Sequence, residues 1–394
     1  MFGCFLAMPV YAANLNVIPA VSLQETWDSN IFNTSSGEES DFIFRAVPSL
    51  TIVIQAFHTS ANITGGFQLE RYADHDELNE TVATQNFNLS VTEPFRITPR
   101  FSLRPLASYV ETRDSVRRNE LAQPTTVELP PPETVVTERR KARDYRAGLQ
   151  MMYLLTPNLD LSVGGGISKR EFVEDVTGTD LEDSRSITGD LSVLYRLSQR
   201  FFSGIFINTS YNTFDNSTDS RTFGGGLAGR YILSEHYTFD ARIGASYLKE
   251  SADATGQENK EWTPYGRLSL GYAWQNFIAT LLGSYELAGG GSFGQTTKRG
   301  SVILTLTDRF AERWWWNIAG LYQNNKSTNG PVTEDIDTFQ GTAGIRYAVF
   351  QWASLQLAGN VIRQRSNLTG GGEGDLNRES IFLGFNIGKP YQVY

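Results

Sequence analysis

Side chains suited to nucleophilic or general-base chemistry near neutral pH are scarce in this sequence: three histidines and one cysteine in 394 residues. A hydrolase needs a base within hydrogen-bond reach of a nucleophile and a third group to orient it. His58 and His236 fall in short polar breaks, and His75 in a longer acidic one that the topology developed below places at the opposite end of the molecule. All three read as exposed loop residues, no catalytic residue is assigned, and the chain is not expected to be an enzyme. Cys4 alone forms neither an internal disulfide nor a cysteine-based zinc site. Gly224, Gly226 and Gly229 spell G-x-G-x-x-G, but a dinucleotide site also needs a following helix and a βαβ unit. Neither is present, so these glycines read as kinks or small residues in a strand. The acidic stretches 73–80 (ADHDELNE), 174–183 (EDVTGTDLED) and 333–337 (TEDID) lack the spacing of a D-x-D-x-D-G-x5-E calcium loop. They read as solvated loops, open to Ca²⁺ or Mg²⁺ bridges with neighbouring lipopolysaccharide, and no resident metal or cofactor is expected.

The chemistry that does recur is that of arginine. Residue parity, worked out below, assigns Arg45, Arg104, Arg146, Arg170, Arg196, Arg230, Arg242, Arg267, Arg299 and Arg346 to one face. Fewer acids share it: Glu70, Asp144, Asp160, Asp190, Asp240 and Glu286. Asn208, Asn317, Gln323, Gln356 and Asn360 add neutral groups suited to hydroxyl-rich solutes. Rings of arginine in a pore attract anions and carboxylated or phosphorylated sugars. The alternative is that many of them pair with the acids across neighbouring strands and only stiffen the wall.

The elements that carry these residues have one rhythm. From Tyr237 to Tyr247, Tyr237, Phe239, Ala241, Ile243, Ala245 and Tyr247 take one face, and Thr238, Asp240, Arg242, Gly244 and Ser246 the other. The same split recurs at 144–153, 267–274 and 339–347, and no helical period of comparable length competes. Each segment is about ten residues long, enough for a tilted strand to cross a bilayer. Aromatics gather at both ends of the apolar face, as with Tyr237 and Tyr247 or Trp314, Trp316 and Tyr322, in the manner of a lipid-facing girdle. Charged residues sit deep in the polar face, where a soluble core would not accept them.

Connections alternate between short and long. Short ones are expected near 55–58, 93–98, 156–158, 198–200, 234–236, 274–276, 308–313 and 350–352. Long ones are expected near 30–39, 73–79, 115–140, 174–183, 215–218, 251–259, 289–295, 327–335 and 368–375. The expected fold is all-β: a transmembrane up-and-down antiparallel β-barrel of about 18 strands (range roughly 16–18), with short periplasmic turns and long outer loops, in the bacterial outer membrane. An even count puts both chain ends on the periplasmic side. Residues 1–12 read as a signal peptide, with Val10-Tyr11-Ala12 at its end, and 13–394 as a single barrel domain. The Pro-rich loop 115–140 is expected to be an extended outer loop with two open alternatives, folding back into the pore or staying mobile, the second slightly favoured.

Composition agrees. The net charge of −9 excludes a phosphate-binding face, so no nucleic-acid partner is expected. Hydrophobic residues are 40% and aromatics 12% of the chain, with 36 glycines, an average over one apolar and one polar surface.

The first hairpin carries a more specific pattern. Thr26-Trp27-Asp28-Ser29-Asn30-Ile31-Phe32, Glu39-Ser40-Asp41-Phe42-Ile43 and Pro48-Ser49-Leu50 resemble the opening of the type-2 outer-membrane β-barrel porins, which include barrels encoded with exopolysaccharide synthesis and export genes. The resemblance implies a channel-forming barrel, with a place at the last outer-membrane step of polysaccharide secretion, and it brings no catalytic residues. Locally, Asp28 and Asn30 have an Asx role, satisfying backbone groups where a strand leaves for its loop.

The expected function is therefore a porin-like passage for exopolysaccharide or small hydrophilic solutes, with preference for anions left open between the two readings of the arginines. The runner-up is a surface receptor or a sheath around a partner protein, and a barrel-embedded hydrolase ranks last. Expected partners are outer-membrane lipid and lipopolysaccharide, polysaccharide export proteins and the barrel assembly machinery.

Overall fold

Alternating apolar and polar residues, with β-branched and aromatic side chains on the apolar positions, favour pleated strands with one face on each side of a wall. A computed structural model describes residues 14–56, 59–115, 139–173, 182–215, 217–251, 258–289, 296–328, 334–368 and 372–392. The expected leader and His58 lie outside these described residues.

In chain order the strands are β1 (Asn14–Asp28), β2 (Asp41–Ala56), β3 (Thr59–Tyr72), β4 (Glu80–Glu93), β5 (Phe95–Thr98), β6 (Phe101–Thr112), β7 (Ala142–Thr156), β8 (Leu159–Phe172), β9 (Ser184–Arg196) and β10 (Phe201–Phe214). They continue with β11 (Ser220–Ile232), β12 (Tyr237–Glu250), β13 (Lys260–Trp274), β14 (Phe277–Ala288), β15 (Thr297–Ala311), β16 (Trp314–Ser327), β17 (Glu334–Phe350), β18 (Ala353–Leu368), β19 (Gly372–Gly388) and the stub β20 (Tyr391–Gln392). Each pairs antiparallel with its chain neighbours, and β1 closes the circle against β19, with Asp28 opposite Ser380 and Ala20 opposite Gly388. β4 and β5 form one wall strand, and the stub only touches the start of β1. The result is a closed antiparallel barrel of 18 strands. Closure matters in lipid, because an open edge would leave a row of backbone groups with neither water nor a partner.

The outer wall is apolar, with Leu227, Ile243 and Trp262 among its most exposed side chains. Rings gather at the short-turn rim, where Tyr237–Tyr272 (4.5 Å between centroids), Tyr272–Phe277 (5.8 Å) and Phe277–Trp316 (6.2 Å) link four strands. Tyr109–Tyr145 and Tyr247–Trp262, each at 5.1 Å, mark the opposite rim. Such rings, with an apolar body and a polar tip, suit the two levels where lipid meets water.

Several connections differ from expectation. The turn expected at 93–98 lies at 99–100, because the chain resumes pairing as β5. Pro94 has no N–H to donate, so it interrupts the ladder without ending the strand. Thr98 Oγ1 then accepts the backbone N–H groups of Arg100 (3.3 Å) and Phe101 (3.0 Å) to make the turn. The break expected at 308–313 shrinks to 312–313, since β15 continues through a bulge between Asp308 and Ala311. The outer loop expected at 368–375 is largely ladder: Leu368 pairs with Gly372 and Arg365 with Asp375. Glycines removed the alternation that marks a strand, but not its capacity to pair.

Candidate functional site on the inner face of the barrel

Because side chains alternate across a strand, the register decides which residues share the interior. Arg45 stands opposite Glu70, Arg104 opposite Gln150, Arg146 opposite Ser108 and Asp144 opposite Val110. Asp144 also faces Arg170. Arg196 and Arg230 flank Phe202 on either side, and Asn208 faces Asp190. Arg230 pairs with Asp240, Arg242 with Arg267 and Glu286 with Arg299. Asn317 faces Thr307, Arg346 faces Gln356 and Asn360 faces Thr342. All of them lie on the face opposite the exposed apolar belt.

That face changes character along the barrel axis. Near the long loops, charge is buried and paired. Arg45 Nε donates to Glu70 Oε1 at 2.9 Å and its Nη1 to Thr26 Oγ1 at 2.8 Å, while Tyr72 OH donates to Glu70 Oε2 at 3.1 Å. Arg170 grips Asp144 with Nε to Oδ1 at 2.8 Å and Nη2 to Oδ2 at 3.1 Å. Arg299 Nε donates to Asn325 Oδ1 at 3.2 Å beside its cross-strand neighbour Glu286. Bidentate and charge-assisted bonds of this type hold a buried pair together where desolvation alone would drive it apart.

Arg378 is the hub of this end. Its guanidinium reaches Asp28 Oδ2 (Nη2, 2.6 Å), Asp114 Oδ2 (Nη2, 2.9 Å), Asp114 Oδ1 (Nη1, 3.0 Å) and Asn33 Oδ1 (Nη1, 2.8 Å). Asn33 adopts a left-handed backbone (φ 58°) that Asn tolerates better than most residues. It belongs to the loop after β1, which turns inward so that Ile31 packs with Ile43 and Tyr72. Asp28 Oδ1 accepts the Asn30 backbone N–H at 3.1 Å, and Asn30 Nδ2 donates to Thr34 O and Asn377 O. Arg139 Nη1 donates to Tyr72 OH at 2.5 Å. So both described ends of the Pro-rich connection, Asp114 and Arg139, are fixed to the inner wall. Its 116–138 stretch lies outside the described residues.

Midway down, Arg242 and Arg267 face one another directly, and Phe206 packs on Tyr265 with ring centroids 5.1 Å apart. The Arg242 guanidinium lies 5.9 Å from the Phe206 centroid.

At the short-turn end the pairing thins out. Arg230 Nε holds Asp240 Oδ1 at 2.6 Å. Arg196 instead covers the Phe202 ring at 5.0 Å, and Arg346 Nε donates to the neutral Ser354 Oγ at 3.2 Å. Arg309 and Arg346 both lie over the Trp315 ring. Among the described residues, none of Arg104, Arg196, Arg309 and Arg346 makes an ion pair with a carboxylate. The two readings of the arginines therefore divide by height: pairing dominates near the long loops, and unneutralised guanidinium near the short turns.

Of the histidines, His75 bridges Glu39 Oε2 and Asp41 Oδ2, each at 2.8 Å, and His236 Nδ1 lies 3.1 Å from the Ala273 carbonyl. Sequence reasoning missed Arg378, which follows the stretch 368–375 expected to be an outer loop, whereas the ladder already runs from Gly372. It also missed Arg139, Arg309 and Trp315. For Trp315 a signal existed: between Trp314 and Trp316 on the lipid face, parity sends Trp315 inward.

No protein-family model and no curated protein matches this chain. Among solved structures, a BenF-like porin from Pseudomonas fluorescens Pf-5 is similar at TM-score 0.47 and 11% identity, over 96% of this chain and 99% of that one. Pseudomonas aeruginosa OccK2 (OpdF) in complex with glucuronate gives TM-score 0.46 and 11% identity, over 97% of this chain and 98% of that one. Acinetobacter baumannii OccAB4 gives 0.43 and 12%, over 95% and 98%. The closed wall of this chain, its apolar belt and its two aromatic rims are those of a bacterial outer-membrane β-barrel.

Proposed function

We propose that this barrel is a passive channel for hydrophilic solutes that favours anions. The observation that carries the reading is the set of arginines without carboxylate partners on the inner face near the short turns, in a closed wall of 18 strands. Barrels of this size leave an aqueous interior, and guanidinium groups in a low-dielectric enclosure raise the local concentration of anions. Purified protein in a planar bilayer under a salt gradient tests this: a reversal potential on the anion side is expected. Electrical silence or cation selectivity refutes it.

The motif of the first hairpin favours exopolysaccharide as the anionic cargo, and export proteins as partners on the periplasmic side. Deleting the gene then removes surface polymer and leaves small-solute uptake intact. Assembly machinery inserts the barrel, and lipopolysaccharide surrounds its outer rim, in the same reading.

A further inference from the structure

At the short-turn mouth, Trp315 gathers two positive charges onto one ring. The Arg309 guanidinium carbon lies 5.2 Å, and that of Arg346 5.5 Å, from its centroid. Like charges repel, so two guanidiniums on one indole hold their place only through the ring and through neutral acceptors. Both acceptors are neutral: Arg309 Nη2 donates to the Glu312 carbonyl at 2.6 Å, and Arg346 Nε to Ser354 Oγ at 3.2 Å. The Nη groups of Arg346 have no hydrogen-bond partner among the described residues. Glu312 lines the same space, but its carboxylate makes no ion pair with either arginine. Around them is a cavity of about 890 Å³ whose lining also includes Arg313, Ser22 and Asn386.

We infer that this cavity is a binding station for carboxylate-bearing saccharides at the periplasmic mouth. It deepens the channel reading above and rests on it for the access of cargo. Three features select the ligand class. A guanidinium fork matches a carboxylate in two parallel bonds, and two forks side by side favour a ligand with repeated acidic groups. The volume suits a small oligomer rather than a lone inorganic anion, being in the upper range for small-molecule sites. Hydroxyl and amide groups from Ser22, Ser354 and Asn386 can exchange hydrogen bonds with sugar hydroxyls, as an apolar pocket could not.

Binding is read on the full-length protein in detergent by calorimetry, so the result does not depend on conductance. The probes are trigalacturonate, neutral maltotriose, monomeric galacturonate and inorganic phosphate. Trigalacturonate is expected to bind at least about tenfold more tightly than maltotriose, and Arg309→Gln or Arg346→Gln to weaken it about tenfold each, the scale of one charge-assisted interaction. Arg363→Gln, on the outward face where it pairs with Glu379 and outside the cavity lining, should leave the affinity unchanged. Equal affinity for maltotriose, equal affinity for phosphate, or insensitivity to both cavity variants overturns the assignment. A monomer that binds as tightly as the trimer overturns the part concerning repeated acids. In a bilayer, trigalacturonate should block current from the short-turn side in wild type and not in Arg346→Gln. Steady current with no block from that side rejects the station while leaving the channel intact. Absence of current in wild type rejects the channel, with the calorimetric result standing on its own. Should one glutamine variant fail to fold, the other cavity variant carries the test.

Discussion

Arg378 and Asp114 are separated by 264 positions in the chain, yet they meet in a two-point contact of 2.9 and 3.0 Å inside the barrel. Asp28 completes the group from the first strand at 2.6 Å. One guanidinium thus ties together the last long strand, the first strand and the foot of the Pro-rich connection. Removing it takes away the cation that two enclosed carboxylates share. Arg378→Ala is therefore expected to cost about 3–5 kcal/mol, read by denaturant unfolding of the detergent-solubilised barrel. Asp114→Asn should cost less, because Asp28 still holds the arginine. Additive effects in the double variant, within about 0.5 kcal/mol, would show that the two residues do not act together.

His75 gives the outer rim a pH dependence. Hydrogen bonds to Glu39 and then to Asp41 raise its pKa above the usual histidine value. A group whose pKa is raised by folding contributes fully below its unfolded value, near pH ~6.5, and loses that contribution as pH rises through the folded value. The connection between β1 and β2 should then loosen as pH rises through that raised value, read as a loss of amide-exchange protection around Glu39. His75→Gln should abolish that pH dependence. An unchanged exchange profile in the variant would sink the idea.

The two ends of the inner face should respond differently to loss of charge. Arg104→Gln and Arg196→Gln remove guanidiniums that have no ion pair with a described carboxylate, so a smaller anion-to-cation permeability ratio is expected with little change in stability. Arg170→Gln instead breaks a buried pair with Asp144, and its main effect should be a lower unfolding midpoint. Comparable selectivity shifts from all three would mean that height in the barrel does not matter.

The glycines of the G-x-G-x-x-G stretch offer a paired test. A Cβ at Gly226 would collide with the Ile243 carbonyl oxygen across the ladder, whereas at Gly229 the nearest atom is 3.6 Å away. Gly226→Ala should cost about 1–3 kcal/mol, and Gly229→Ala less than about 0.5 kcal/mol. Close strand approach, rather than phosphate binding, then accounts for the glycine at 226.

Charge on the lipid face tests the orientation of the wall. Ile243→Arg is expected to destabilise the barrel by about 2–4 kcal/mol if that position lies near the bilayer midplane. Ser246→Arg, on the inner face, should cost less in the same unfolding assay. The reverse order would invert the faces.

Alternation of the Tyr237–Tyr247 kind is local, and each residue carries its own preference for lipid or water. The sequence by itself therefore determined the barrel class, the two faces and the inner-face position of the arginines. It could not separate Arg170 from Arg196, which are identical in type and face. One meets a carboxylate across the ladder and the other a phenyl ring, a difference created by register between strands. Nor could it bring Asp114 to Arg378, or two arginines to Trp315. Such contacts depend on closure of the circle and on which residues share a height, and these are properties of the pairing rather than of any one segment. Pro94 is the smallest example: a break in the local pattern, but not in the wall.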